Sequence, residues 1–224
     1  MRKPAYLQKG DSIAIVSTAR AISQAEIDFA IQTYESWGLK VILGKTIGAK
    51  DHQFAGNDAL RTKDFQEMLD NKDIKAIVCA RGGYGTIRII ENLDFTQFMF
   101  NPKWIVGYSD VTILHAHINT YLAVQTIHAT MPINFENNTG ESLSSLKNAF
   151  FGKSISYDFE NNNMNKLGKA EGEIVGGNLS ILYSILGTKS GFNPDHKILF
   201  IEDLDEMLYH IDRMMQNMAR NGYF

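Results

Sequence analysis

The stretch Trp104-Ile105-Val106-Gly107-Tyr108-Ser109-Asp110 indicates where a strand of a parallel sheet ends and a helix begins. Its first three residues predict a buried strand, and residues 111–118 have a composition compatible with a helix. A serine on a sharp strand-to-helix turn presents its hydroxyl at the carboxyl edge of the sheet, beside the next backbone N–H. Ser109 is therefore a candidate nucleophile. The alternative is that Ser109 caps the helix, and caps are the commoner use of such a serine.

The composition is that of an ordinary globular protein of 224 residues, 44% of them hydrophobic, which is enough to bury a core. Lys and Arg number 22 against 25 Asp and Glu, so a net charge of −3 gives no reason to expect nucleic acid or an anionic membrane as partner. A small ligand is expected instead. The single cysteine, Cys79, fits a reducing compartment. The chain shows neither a signal peptide nor a run of roughly 20 apolar residues, so we expect a cytoplasmic protein.

Apolar runs alternate with helical patterns in the first part of the chain, which predicts a parallel sheet covered by helices on both faces. The predicted strands are at 13–16, 39–43, 74–79 and 104–106. The first helix is expected after a capping box of Ser23 and Glu26. Further helices are predicted at 57–69 and, as a short piece, at 86–91.

The second part of the chain begins with a polar, turn-rich stretch around a helical piece at 143–150, which we interpret as a connector. Beyond it the sequence predicts a strand at 169–175, a turn at 176–178, a helix at 179–186 and a short strand at 198–201. A last helix at 206–220 carries an apolar stripe that is expected to be core, formed by Met207, Ile211, Met214, Met215 and Met218. The expected organisation is a Rossmann-like domain at 1–133, a connector at 134–168 and a smaller, partial β-rich domain at 169–224.

The loop Arg81-Gly82-Gly83-Tyr84-Gly85 follows the third predicted strand, so it ends at the same sheet edge as Ser109. Successive backbone amides in such a loop attract anions. The loop is a poor dinucleotide fingerprint, because that motif follows the first strand. It is equally compatible with a tight turn that needs positive φ. In an acyl-transfer enzyme, a glycine loop on the neighbouring strand supplies a second N–H donor beside the serine.

Glu202 begins an acidic cluster with Asp203, Asp205 and Glu206, directly after the strand at 198–201. Acids before a helix interact favourably with its dipole, with Asp205 as N-cap, and this explains the last three acids better than Glu202. A carboxylate directly after an apolar strand is expected to be partly enclosed and to orient a histidine, as in a serine-centred triad. A metal site is not expected, because no histidine pair at ligand spacing accompanies these acids.

Five motifs together resemble the L,D-carboxypeptidases related to microcin C7 self-immunity proteins, a family of serine peptidases. The motifs are Asp11-Ser12-Ile13-Ala14-Ile15-Val16, Arg81-Gly82-Gly83-Tyr84-Gly85, Gly107-Tyr108-Ser109-Asp110, Gly176-Gly177-Asn178-Leu179 and Phe200-Ile201-Glu202-Asp203. The resemblance extends over essentially the whole chain, and the five motifs in this order are far more specific than any one of them.

The resemblance implies a Ser-Glu-His triad in which Ser109 is the nucleophile and Glu202 orients the histidine. The backbone amides of Gly83 and Asp110 would form the oxyanion hole. The residues expected to contact substrate are Gly82, Tyr84 and Asn178. The usual substrate of the family is the muropeptide tetrapeptide of peptidoglycan turnover, from which a terminal D-alanine is cut after an L,D bond. The resemblance further implies a cytoplasmic location and a homodimer. No cofactor and no metal are expected.

One element of the family pattern has no match in this sequence. The family's histidine lies near the end of a longer chain, in a glycine-histidine context, whereas only His210 follows Glu202 here. We do not expect His210 to be the base. The other histidines are expected to be solvated or hydrogen-bonded structural groups: His52, His115, His117, His128 and His196. The 224 residues are therefore expected to be a truncated form of a longer enzyme, and Ser109 would be a weak nucleophile without its base.

Three functions stay open at this point. The first is an L,D-carboxypeptidase. The second is hydrolysis of peptide- or acyl-nucleotides, as in the self-immunity branch of the family. The third is a non-catalytic module whose glycine loops hold a peptide carboxylate.

Overall fold

The computed structural model describes residues 1–224 and contains two parallel sheets. The larger sheet has five strands in the order β2-β1-β3-β4-β5, and the smaller one pairs β6 with β7. The strands are β1 (Ser12–Val16), β2 (Lys40–Leu43), β3 (Ile74–Cys79), β4 (Trp104–Gly107), β5 (Ile127–His128), β6 (Ile174–Asn178) and β7 (Ile198–Glu202). The α/β class, the helix-flanked parallel sheet and a second small sheet in the C-terminal region are confirmed.

Seven α-helices connect and cover the strands. They are α1 (Asp28–Ser36), α2 (Asp58–Asp70), α3 (Thr96–Phe100), α4 (Thr112–Leu122), α5 (Gly140–Phe150), α6 (Leu179–Ser184) and α7 (Leu208–Arg220). Side-chain caps begin three of these helices, α2, α5 and α6. The Asn57 side chain accepts the Leu60 amide at 2.9 Å and begins α2. The predicted capping contact is present before α1, where Glu26 Oε2 accepts the Ser23 amide at 2.8 Å.

The central strands are buried on both faces, as their continuous apolar sequences predict. In β1, Ile13 and Ile15 belong to a core cluster of 17 residues on one face. Ala14 and Val16 belong to a cluster of 26 residues on the other face. Successive side chains of a strand point to opposite faces, so one strand supplies both cores. The larger cluster also contains buried residues of the C-terminal region, among them Val175, Leu182 and Met218.

Several elements differ from the prediction. β5 and α3 have no counterpart in it, and the helix predicted at 86–91 is a pair of 3-10 turns, Thr86–Arg88 and Ile90–Asn92. The strand predicted at 169–175 begins only at Ile174. The last helix begins at Leu208 without a side-chain cap, so Asp205 is not its N-cap. Met207 is 63% exposed and does not belong to the core stripe, whereas Met214 and Met218 are buried.

The turn predicted at 176–178 is wrong because Gly176 and Gly177 are strand residues of β6. Both have positive φ, 129° and 142°. A side chain at Gly176 would run into the carbonyl oxygen of Phe200 on β7. A Cβ at Gly177 would lie 2.5 Å from Thr112 Oγ1. Gly176 therefore allows a close approach of two backbones, and Gly177 allows a close approach of the Thr112 side chain. Neither glycine reverses the chain.

No helix of the protein combines the length and the apolar character needed to cross a membrane.

Candidate active site

Ser109 lies on a sharp turn between β4 and α4. Its φ is 61°, in the left-handed region that a non-glycine residue occupies at a cost of about 1–2 kcal/mol. It is the first residue of a short 3-10 turn, Ser109–Val111, that leads into α4. Neither this turn nor α4 has a side-chain cap at its start, so the capping alternative does not explain this serine. Strain of this kind is typical of a nucleophile elbow.

Two hydrogen bonds, one from α4 and one from the segment after β5, hold the end of β4 in place. The Gly107 carbonyl accepts two hydrogen bonds, from His115 Nε2 at 2.8 Å and from the Ala129 amide at 3.1 Å. Burial lowers the pKa of His115 to about 4, so the ring is neutral at physiological pH and its Nε2–H is the donor. A Cβ at Gly107 would come within 2.8 Å of Val111. The last residue of β4 is therefore glycine because the Val111 side chain, at the end of the serine turn, packs directly against it.

The glycine loop contacts the serine directly. A Cβ at Gly82 would lie 3.2 Å from Ser109 Oγ, so any larger residue there would crowd the hydroxyl. Gly83 has a φ of 122°, and its amide donates no hydrogen bond within the chain. The β3 loop and the β4 turn are neighbours because β3 pairs with β4. The structure thus brings together Ser109, Gly82 and Gly83, as the sequence predicts.

The buried carboxylate of Asp110 connects the glycine loop to the serine turn through a hydrogen bond. Asp110 is 1% exposed, and its Oδ2 accepts the Thr86 amide at 2.9 Å. Its Oδ1 is buried without a hydrogen-bond partner. Burial raises the pKa of Asp110 above its usual range. Asp110 therefore holds the two backbone segments that carry the proposed oxyanion donors.

A buried arginine, Arg61, fixes the far end of the glycine loop. The Arg61 guanidinium donates to the Gly85 carbonyl at 2.9 Å and also to the Thr18 carbonyl and the Asp58 carboxylate. It lies in the space that a side chain at Gly85 would need. Arg61 resembles an ordinary exposed helix residue in the sequence, so only its burial reveals this role.

Glu202 ends β7 opposite Asn178 of β6. Its side chain is 26% exposed, and its Oε1 is buried with no hydrogen-bond partner. Burial, and secondarily the charge of Asp203, raise the pKa of Glu202. No hydrogen bond joins Glu202 to Ser109 within the chain. The carboxylate is therefore partly enclosed, as predicted, and has a free acceptor.

His128 is the histidine that approaches Glu202, with Nε2 3.9 Å from Glu202 Oε1. It lies on β5 opposite Gly107, and its ring centroid is 6.1 Å from that of Tyr108 and 5.1 Å from that of Phe200. Burial lowers its pKa. His128 also borders an open cavity of about 330 Å³ that is lined by Tyr108, His128, Ala129, Thr130, Asn134 and Asn138. From the sequence, only a structural role is predicted for His128, because a strand of two residues leaves no periodic pattern.

Asn178 connects the small sheet to the serine turn. Its amide donates to Thr112 Oγ1 at 3.0 Å, and its Nδ2 donates to Asp203 Oδ1, also at 3.0 Å. Its Oδ1 accepts the Ile181 amide at 3.2 Å and so begins α6. The Asn178 side chain is thus used within the fold. Asp203 Oδ2 accepts the Ser180 amide at 2.9 Å, so this acid stabilises the start of α6 and not that of α7.

The remaining candidates are spread more widely. Tyr84 is 46% exposed and packs on Phe54 at the rim of the glycine loop. His117 contacts Ser190 Oγ at 3.0 Å, a structural role like that of His115. His210 Nδ1 lies 3.1 Å from Glu206 Oε2 and makes no contact with Glu202. His52 and His196 are exposed.

Comparison with known proteins defines the class to which this fold and site belong. The family model of the LD-carboxypeptidase N-terminal domain matches residues 13–129, and that of the LD-carboxypeptidase C-terminal domain matches residues 171–224. The chain therefore belongs to the LD-carboxypeptidase family. It is 38% identical to a probable murein peptide carboxypeptidase of Bacillus subtilis over 98% of this chain and 70% of the relative. It is 27% identical to the murein tetrapeptide carboxypeptidase of Pseudomonas aeruginosa over 93% of this chain and 71% of that protein.

Solved structures share the fold. An MccF-like protein from Bacillus anthracis superposes with a TM-score of 0.86 at 24% identity, covering 98% of this chain and 76% of that one. A muramoyltetrapeptide carboxypeptidase from Oxalobacter formigenes gives a TM-score of 0.84 at 25% identity, covering 95% and 72%. These relatives are longer than the chain described here.

Proposed function

We propose that the protein is a serine carboxypeptidase that removes a terminal D-alanine from murein tetrapeptides by cleaving an L,D bond. The single observation that supports this most is the juxtaposition of Ser109 and the glycine loop. Ser109 has a strained φ of 61°, and even a methyl group at Gly82 would lie only 3.2 Å from the serine oxygen. A serine held in this way beside unoccupied backbone amides is arranged for attack on a carbonyl.

The proposed reaction has two steps. Ser109 Oγ attacks the carbonyl carbon that precedes the terminal D-residue, while its proton passes to a histidine base. The amides of Gly83 and Asp110 stabilise the resulting oxyanion. The base then protonates the amine of D-alanine, which leaves, and water hydrolyses the ester on Ser109. Removing one oxyanion donor from such a site costs about 10²–10³ in kcat.

Glu202 is proposed to orient the base. Its buried Oε1 has no hydrogen-bond partner and is the acceptor that the N–H of an imidazole would use. His128 at 3.9 Å is beyond hydrogen-bond distance, and His210 is paired with Glu206. From the family resemblance, we expect the histidine base to lie outside residues 1–224.

The test measures release of the terminal alanine, of either configuration, by the full-length protein from three matched peptides. The first is the murein tetrapeptide with its L,D terminal bond, the second ends in L-alanine, and the third lacks the terminal residue. Release from the first peptide alone is expected. Equal release from the L-alanine peptide, or none from any peptide, would contradict the proposal.

The same assay separates the second candidate function. A curated relative that is 29% identical over 98% of the chain is a microcin C7 self-immunity protein of Escherichia coli. Aspartyl sulfamoyl adenosine, which a solved MccF structure contains, is therefore included as a fourth substrate, and release of its aspartate is measured. Cleavage of the nucleotide compound without peptide cleavage would favour the self-immunity type of hydrolysis. Tight peptide binding without any cleavage would favour a binding module.

The cellular setting is proposed from the family resemblance. We expect the protein to act in the cytoplasm as a homodimer on muropeptides released during wall turnover. The apolar residues at the start of α7, Met207 and Leu208, are 63% and 85% exposed, which is compatible with a contact surface. Light scattering of the full-length protein and cell fractionation test the two expectations separately.

A further inference from the structure

Arg20 lies on the loop after β1, next to the glycine loop. A Cβ at Gly83 would come within 2.7 Å of Arg20 Cδ and 2.9 Å of its Nε. The adjacent residue, Gly82, instead contacts Ser109. The sheet order explains this arrangement, because β1 pairs with β3 and β3 pairs with β4. Two successive glycines thus separate a candidate nucleophile from an arginine side chain.

The backbone of Arg20 is held in place. Its carbonyl accepts the hydroxyl of buried Ser17 at 2.7 Å, and its main chain forms an antiparallel bridge with Phe54. The next amide, that of Ala21, donates to the Gln53 carbonyl at 2.9 Å. The backbone that carries the Arg20 side chain is thus preorganised, so less conformational freedom is lost when Arg20 binds a ligand.

The guanidinium of Arg20 has no ion-pair or hydrogen-bond partner within residues 1–224, and the residue is exposed. The other arginines of this region are engaged. Arg81 donates to the Ala21 carbonyl at 3.2 Å, Arg88 pairs with Asp58 at 2.8 Å, and Arg61 is buried in its own network. Arg20 is therefore the available cation at this end of the site.

We propose that Arg20 binds the terminal carboxylate of the peptide substrate. This inference rests on the proposed function. A carboxypeptidase holds the scissile carbonyl in the oxyanion hole, and only three bonds separate that carbon from the carbon of the free carboxylate, so the two carbons lie less than about 4 Å apart. The carboxylate must therefore lie close to Gly83, and the Arg20 side chain packs on Gly83. A guanidinium is the group best suited to bind a carboxylate through two parallel N–H bonds.

The proposal gives Arg20 a role in specificity. A peptide that continues past the scissile bond, or one that ends in an amide, brings no negative charge to this position. When such a peptide binds, the guanidinium has no carboxylate partner and contributes no binding free energy. Arg20 thus favours release of a single terminal residue over internal cleavage.

The experiment uses the full-length protein with Ser109→Ala, which binds peptide without cleaving it, and measures dissociation constants by calorimetry. The probes are the murein tetrapeptide and the same peptide with a terminal carboxamide. The acid is expected to bind about tenfold or more tightly than the amide, as charge-assisted hydrogen bonds predict. Adding Arg20→Gln removes this preference by weakening only the acid, and Arg20→Lys keeps part of it. Arg220→Gln, a change of an exposed arginine at the end of α7, leaves it unchanged.

Two outcomes overturn the proposal: equal binding of acid and amide by the Arg20-containing protein, or an acid preference that survives Arg20→Gln. D-Alanine release by the protein with Ser109 intact is measured in parallel. Release without an acid preference contradicts the role of Arg20 and leaves the proposed function standing. An acid preference without release contradicts the proposed function and supports the carboxylate site.

Discussion

Asp110 Oδ2 accepts the Thr86 amide at 2.9 Å, and this bond connects the turn that carries Ser109 to the end of the glycine loop. Asp110→Ala removes the acceptor and leaves a buried N–H unpaired. We expect the free energy of unfolding to fall by about 1–3 kcal/mol. Asp110→Asn keeps an acceptor oxygen in the same place and is expected to lose less. Urea denaturation of the three proteins measures the difference, and equal stability of all three would show that the bond does not hold the loop.

Glu202 is expected to reduce stability at neutral pH. Burial raises its pKa in the folded protein above the ordinary 4.5, so its contribution is most favourable at low pH. That contribution is lost as the pH rises from about 4.5 through the raised value. Glu202→Gln has no such loss, so the substituted protein is expected to be more stable than the original at pH 7 and to differ less at pH 4.

Thermal unfolding across this pH range measures the effect. Glu160→Gln, on an exposed stretch without secondary structure, is the control and is expected to keep the original pH dependence. The expectation is contradicted if Glu202→Gln lowers the stability of the protein at pH 7 and lowers it less at pH 4. Such a result would show that the carboxylate has a partner in the folded state.

His128 and Glu202 are expected to titrate as neighbours, because 3.9 Å separates Nε2 from Oε1. A nearby carboxylate favours the imidazolium, whereas burial disfavours it. Burial prevails in the protein and lowers the pKa of His128. Glu202→Gln removes the opposing carboxylate and is expected to lower that pKa further.

Nuclear magnetic resonance titration of the histidine ring protons provides the measurement. Glu206→Gln changes the acid that pairs with His210 and is the matched control, since it should leave the His128 titration in place. An unchanged or higher His128 pKa in the Glu202→Gln protein would mean that the two groups do not interact.

The close contact of β6 with β7 predicts unequal effects of two glycine substitutions. Gly187→Ala meets open space at a φ of 75° and is expected to cost about 1–2 kcal/mol of backbone strain. Gly176→Ala adds a collision with the Phe200 carbonyl and is expected to cost several kcal/mol more. Urea denaturation compares them. Equal losses would indicate that the small sheet has room that the structure does not show.

Regular, apolar strands and helices could be predicted from the sequence. Close contacts between distant segments of the chain could not. The runs at β1, β3 and β4 and the Asn57 cap of α2 follow from local pattern, and the serine turn follows from the strand that precedes it. Gly176 and Gly177 resemble turn residues, yet they lie in a strand, where the Phe200 carbonyl and the Thr112 side chain fill the space that their own side chains would need. No local signal distinguishes these two situations.

The candidate site shows the same division. Ser109 and the glycine loop come from neighbouring strand ends of one sheet, and sequence order is enough to place them together. His128 and Arg61 reach the site through contacts between distant segments, and Arg20 follows β1 without a motif that marks it. Their residue types are common in ordinary surface or core positions. Only the packed structure separates them from such residues.

The most direct measurement compares D-alanine release from the murein tetrapeptide by the full-length protein and by its Ser109→Ala form at equal folded concentration. We expect the substitution to reduce release to the uncatalysed background while the unfolding transition stays cooperative. Release that continues in the Ser109→Ala protein would show that another group performs the attack and that the strained serine is not the nucleophile.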